Sequence, residues 1–401
     1  MERRRALKTV LVFLLTAVAL DGGISVFAIE NGKLLGRPLL PSRVDQASLQ
    51  AWVEAQRASA SARPTEAPVS GFDPELGWTH YPSTGSRDGR VHYNRLGARG
   101  RREYAPSPPE GVLRVALFGE SFVQGAQISD EETFEHQLEQ RCATLEVLNF
   151  GVNSYGVDQA LLRFRRDGRK LGAHVLALGL IAENIGRNVN RYRPLWGRAR
   201  DTPAVKPRFI LEQGELVLVA PPFRTQAELV DAVERGAIPM LFGEHEYWWP
   251  PAFPTWAGHS SCVRVVATLS DELRRRISHQ WTDREGEPYR VMRALLSAFC
   301  REAKAAGAQH ALILVLPQET AVQVLTRGDA AYWNGMLDEL RSAGVDVIDT
   351  CPAMAALYPA SKTGGADPVL FDHMHLNRAG NAVVAQLIED WLRARYPTLR
   401  P

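Results

Sequence analysis

Apolar residues gather first near the N-terminus. Residues 9–20 form an apolar run, Asp21-Gly22-Gly23 interrupt it, and residues 24–29 are apolar again. Taken as one segment, residues 9–29 are long enough for a bilayer core, which needs about 20 residues, with Asp21 costly near the middle. Taken as two, the first run is a signal-peptide core and Ala17-Val18-Ala19 a cleavage site. Arg3, Arg4, Arg5 and Lys8 flank the run. That flank argues against a buried helix of a cytosolic protein, and either other reading sends the rest of the chain out of the cytoplasm. The expectation is a signal-anchor over residues 1–34 that holds the protein in the cell envelope with its main domain outside the cytoplasm. Cleaved export is the alternative.

Further along, short continuous apolar runs alternate with amphipathic stretches. The runs predict strands over residues 112–118, 145–150, 174–180, 311–316 and 345–348. Helical spacing predicts helices over 133–141, 158–170, 288–306, 330–343 and 379–396. Ser129-Asp130-Glu131-Glu132 is a capping box before the first of these. Strands that are apolar throughout and alternate with helices imply a parallel sheet covered on both faces. The alternation stops between residues 190 and 288. A hairpin over 207–220 turning at Gly214, a helix over 225–235 and the cluster Tyr247, Trp248, Trp249, Phe253 and Trp256 occupy that stretch. Ahead of the sheet come a short helix over 41–57, the small and proline-bearing linker 58–70, and a glycine-rich stretch of short strands.

The expected organisation follows. Residues 1–34 are the anchor, 35–70 a stalk and linker, 71–111 a small β lead-in lobe, and 112–397 the main domain with an insertion at about 195–287. The fold class is α/β: a three-layer α/β/α sandwich around a central parallel sheet, with an inserted α+β segment. In such sheets ligands bind beyond the C-terminal strand ends.

Composition narrows the partners. The 401 residues are 45% hydrophobic and 23% charged, which excludes wholesale disorder and fibrous folds. Forty-seven basic residues against 45 acidic ones leave +2, too little for a dedicated nucleic-acid binder. Four scattered cysteines without a CxxC pair point away from zinc ribbons and thioredoxin motifs. They could form up to two disulfides, with no pairing legible.

Candidate chemistry sits at the strand ends. Ser121, in Gly119-Glu120-Ser121, follows the first strand. Gly151 follows the second and Asn184 the third; a glycine N–H and an asparagine amide are the donors an oxyanion needs. Asp372-His373-Met374-His375 precedes the last helix. Placed on one helical turn, Asp372 would hold one nitrogen of His375 while the other acts as a base, with His373 as the competing base. Trp248, Trp249 and Trp256 could stack on sugar rings, fill a core or sit at a membrane interface.

Together these features resemble the SGNH (GDSL-like) hydrolase family, in its membrane-anchored bacterial type. The blocks are Gly119-Glu120-Ser121-Phe122, Gly151, Asn184, and Asp372-x-x-His375 followed by Leu376-Asn377 and Gly380. The lead-in Asp73-Pro74, Leu76-Gly77-Trp78 and Asn94-Arg95-Leu96-Gly97 is similar to that type as well. The resemblance implies a flavodoxin-like sheet and a serine hydrolase. Ser121 would be the nucleophile, His375 the base, and Asp372 its orienting group. The N–H groups of Ser121 and Gly151 with the Asn184 amide would form the oxyanion hole, with no metal or cofactor. Glu120 stands where the family usually has Asp, and Ile185 where many members carry Asp. The implied substrate is a small-molecule or glycan ester, above all an O-acetyl ester. Two alternatives share the pattern: a polysaccharide O-acetyltransferase using the same triad, and a catalytically silent glycan-binding or assembly protein.

Overall fold

The computed structural model describes residues 12, 15–25, 29–30, 33–34, 37–38, 40, 46–61, 69–196, 204–250, 259–362 and 370–399. Five strands form the central sheet: β1 (Leu113–Gly119), β2 (Leu145–Gly151), β3 (Val175–Leu180), β4 (His310–Val315) and β5 (Asp346–Asp349). All are parallel, in the order β5-β4-β3-β1-β2. β1, β2 and β3 are buried from end to end, which is why their sequences are apolar without alternation.

Period two then divides the side chains between two cores. Ala116 and Phe118 of β1 face one layer with Leu161 of helix α2 (Val157–Arg163), Phe299 of α4 (Glu287–Ala305) and Leu337 of α5 (Asn334–Ser342). Val115 and Leu117 face the other layer with Leu138 of α1 (Phe134–Arg141) and Ile388 of α6 (Arg378–Arg395). The layers are therefore helix, sheet, helix. The expected capping box forms, with Glu132 accepting from the Ser129 N–H at 2.9 Å. It closes a 3-10 turn, and α1 begins just after it. All four thiols are unpaired.

The lead-in consists of two small hairpins, Ser70–Asp73 with Gly77–His80 and Thr84–Gly85 with His92–Tyr93. Arg99 bridges to Asn149 on the free edge of β2. The insertion contains the hairpin Arg208–Glu212 and Glu215–Val219, turning at Gly214 with φ 88°. Its longest helix is α3 (Ser261–Arg274). A fully buried ion pair between Lys206 and Asp158 of α2 ties the insertion to the body, and the same ammonium donates to the carbonyls of Asn190 and Pro207.

One boundary changes. The helix ahead of the linker spans Gln46–Ser61 rather than 41–57, and Leu49 and Val53 are buried against the body. Among the described residues, no helix is long and apolar enough to cross a membrane. Much of the expected anchor lies outside those residues.

Candidate active site

Local sequence explains why the reacting groups meet. β1 ends at Gly119, and the chain turns at once into the short helix Ser121–Gln124. The Glu120 carboxylate caps that helix by accepting from the Phe122 N–H at 2.9 Å. β2 ends alongside, with Gly119 opposite Gly151. A Cβ on Gly151 would lie 2.2 Å from the Gln124 backbone nitrogen, so only glycine permits this approach. β3 leads into the short helix Asn184–Arg187.

Ser121 is 4% exposed, and its Oγ lies 2.9 Å from Nε2 of His375. The opposite ring nitrogen, Nδ1, lies 3.0 Å from Oε1 of Gln127. A carbonyl oxygen only accepts, so Nδ1 carries the proton and Nε2 is left as the acceptor for the Ser121 hydroxyl. Burial, and then the positive charge of Arg187, holds the His375 pKa below the usual histidine value. The ring is thus a neutral base at neutral pH.

The D-x-x-H segment is a correction to the helical-turn expectation. Phe371–Asp372 and His375–Leu376 pair antiparallel with Asp372 opposite His375, and His373 takes a positive φ of 53° in the two-residue turn. Residues three apart meet here through a hairpin instead of a helix. The Asp372 carboxylate is exposed and lies 3.6 Å from His373 Nε2. The group bonded to His375 Nδ1 is Gln127.

Glu120 does more than shape the loop. Its Oε2 lies 3.0 Å from Ser121 Oγ, and its buried Oε1 has no partner. Burial pushes its carboxyl up to about 7, with Arg187 pulling the other way. The Ser121 hydroxyl therefore has two possible acceptors: His375 and, when ionised, Glu120.

Of the three expected oxyanion donors, which follow the ends of β1, β2 and β3, two are engaged elsewhere. The Gly151 N–H donates to Asn149 Oδ1 at 2.8 Å. Asn184 Nδ2 donates to the Tyr155 carbonyl at 3.1 Å, while its Oδ1 accepts from Ile181 N–H. Arg187 reaches the same Tyr155 carbonyl and pairs with Glu183 at 3.0 Å.

The tryptophans divide. Trp248 is fully buried, stacks on Trp196 with centroids 4.6 Å apart, and donates from Nε1 to the Gly186 carbonyl. It is a packing residue braced against the Asn184 helix, not a sugar platform. Trp249 is half-buried against the same core. Trp256 lies outside the described residues.

Sequence reasoning missed Gln127 and Arg187. Gln127 carried no motif, although its positive φ of 75° marks a special position. Arg187 had a signal: it lies three residues beyond Asn184, where one helical turn returns to the same side.

No family model and no curated protein matches this sequence. Solved structures with a similar chain course do exist. An acetyl xylan esterase, AlAXEase, is 13% identical at TM-score 0.35, over 70% of this chain and 100% of its own. A lipolytic G-D-S-L family protein from Veillonella parvula is 10% identical at TM-score 0.32, over 70% of this chain and 97% of its own. A two-domain esterase active on acetylated mannans is 10% identical at TM-score 0.34, over 72% of this chain and 51% of its own. Likeness this loose says nothing by itself about what the present chain does.

Proposed function

We propose that this chain is a serine esterase of the SGNH type that removes small O-acyl groups, with acetyl on a carbohydrate hydroxyl as the substrate class. The observation that carries the reading is the 2.9 Å contact between Ser121 Oγ and His375 Nε2, with the imidazole tautomer set by Gln127. The near-complete burial of Ser121 and the Phe122 ring 5.0 Å from the His375 ring favour a short acyl group.

In the proposed mechanism Ser121 Oγ attacks the ester carbonyl carbon while His375 Nε2 takes its proton. The carbonyl π pair moves onto oxygen. The N–H groups of Ser121 and Gly151 and the Asn184 amide stabilise that oxyanion, which requires Gly151 to leave Asn149 and Asn184 to share or leave Tyr155. The intermediate collapses, the alcohol departs with the proton from His375, and the acyl group stays on Ser121. Water, deprotonated by the same ring, then releases the acid. Gln127 holds Nδ1–H in the resting site. Asp372, across the hairpin, is the carboxylate we assign to support the ring once it is charged.

A fluorophosphonate probe on the full chain, with adduct mapping by mass spectrometry and p-nitrophenyl acetate turnover in parallel, tests this. Labelling at Ser121 that is lost in His375→Ala, with acetate esters turned over faster than octanoate esters, is expected. A folded protein that neither labels nor turns over would remove the proposal.

A further inference from the structure

Helix α3 is built inside out. Its buried residues are Ser261, Thr268 and Asp271, all polar. Its exposed residues include Val266, Leu269 and Leu273, at 67%, 54% and 50% exposure. They recur at i, i+3 and i+7, so they form one stripe about 10 Å long. A surface helix normally turns such a stripe inward. Here polar bonds hold the opposite face down. Arg274 and Arg275, which pair with Asp271, donate to the carbonyls of Tyr247 and of Leu195 and Trp248, and the Thr268 hydroxyl accepts from the Leu40 N–H.

The N-terminal segment meets this same helix. Asp21 Oδ1 accepts from the Ser260 hydroxyl at 2.7 Å and from the Cys262 N–H at 2.8 Å, at the start of α3. Arg264 donates to the Leu40 carbonyl. The helical residues around Asp21 are apolar and bare: Leu15, Val18 and Leu20 are each at least 59% exposed. Two exposed apolar elements are therefore joined end to end through one carboxylate. Basic residues lead into the first, Arg3, Arg4, Arg5 and Lys8, and the exposed Arg276 follows the second. An exposed apolar stripe continuous with an apolar segment that a basic run precedes suits lipid, acyl chains meeting the stripe and anionic headgroups meeting the basic run.

We infer that α3 lies flat in the headgroup region of an anionic bilayer, with Val266, Leu269 and Leu273 turned to the acyl chains beside the N-terminal apolar segment. This goes beyond the esterase reading and does not depend on it. It also relieves Asp21 of a position in the bilayer core, because its carboxylate is held at the surface as a cap. The contact reaches the candidate site: Arg275 of the same turn sits over the Trp248 ring at 4.7 Å, and Trp248 holds Gly186 of the Asn184 helix.

The test uses the full chain in proteoliposomes of phosphatidylcholine and phosphatidylglycerol. In a Cys262→Ser background, an environment-sensitive nitrobenzoxadiazole probe is attached at Leu269→Cys, at Val266→Cys as a second position, and at Gln213→Cys on the exposed hairpin as a reference. Nitroxide-labelled lipid should quench the probes on α3 several-fold more than the Gln213 probe. Equal, weak quenching at all three positions would overturn the inference and leave attachment to the N-terminal segment alone. Probes on α3 shielded from aqueous iodide yet not quenched by the lipid nitroxide would also overturn it, since a second copy or another protein would then cover the stripe.

Discussion

Nδ1 of His375 meets Oε1 of Gln127 at 3.0 Å, while Asp372, directly across the hairpin, turns to His373. A neutral amide can set a tautomer, but it stabilises an imidazolium less than a carboxylate does. The two residues therefore answer to different variants. Gln127→Ala should lower kcat about tenfold, short of the roughly 10²–10⁴-fold that a general base contributes in full, because the base itself remains. Asp372→Asn should lower it by roughly 10²–10⁴, with KM little changed in both. Steady-state kinetics on the two variants decides. A larger loss in Gln127→Ala would make the amide the standing orienting group throughout the cycle.

Arg187 sets the acid side of the pH profile. Its charge, after burial, keeps the His375 pKa low. The base works when neutral, so activity falls as pH drops through that pKa. Removing the cation favours the charged ring and raises the pKa. The acid limb of kcat/KM in Arg187→Met should therefore move to higher pH. A limb that stays in place would show that the guanidinium does not act on the ring.

Two buried carboxyls make stability depend on pH in an unusual direction. Burial pushes Glu120 and Glu135 from 4.5 up to about 7. Between those values the folded state binds more protons than the unfolded state, so stability falls as pH rises. Each contributes up to about 3 kcal/mol of loss across that window. Glu135→Gln should flatten the decline in thermal midpoint between pH 5 and pH 8 by roughly half, as read by calorimetry. An unchanged slope would place the titration elsewhere.

Lys206 and Asp158 are both wholly buried. Removing one partner strands a charge in the interior. Asp158→Ala should cost about 3–5 kcal/mol in urea unfolding, and Lys206→Met a similar amount. The double variant should recover part of the loss, because no unpaired charge remains.

Much of this architecture was legible. The five strands and most main-domain helices announce themselves through uninterrupted apolar runs and helical spacing, since burial on both sheet faces dictates both. Ser121 and His375 could be named because strand ends and the last helix frame them. The local shape of Asp372–His375 could not be read, because spacing three serves a helical turn and a two-residue hairpin alike. Gln127 was invisible for a related reason: its role comes from a loop held in a left-handed turn by distant contacts. Trp248 shows the opposite limit. Its aromatic surroundings read as a platform or a core, and only the Trp196 ring above it and the Gly186 carbonyl beside it decide.

Those distant contacts come from the lead-in lobe. The buried Arg99 guanidinium bonds to the carbonyls of Gln124, Gly125 and Ile128 and to Asp130, bracketing the loop that carries Gln127. A fragment begun at β1 would keep Ser121, Gly151, Asn184 and His375, along with the whole sheet, and lose the Arg99 side chain that grips the loop. Any excised version of this protein should therefore start ahead of Ser70. The lead-in lobe, which looks like an approach to the domain, is in effect the brace that shapes the loop around Gln127.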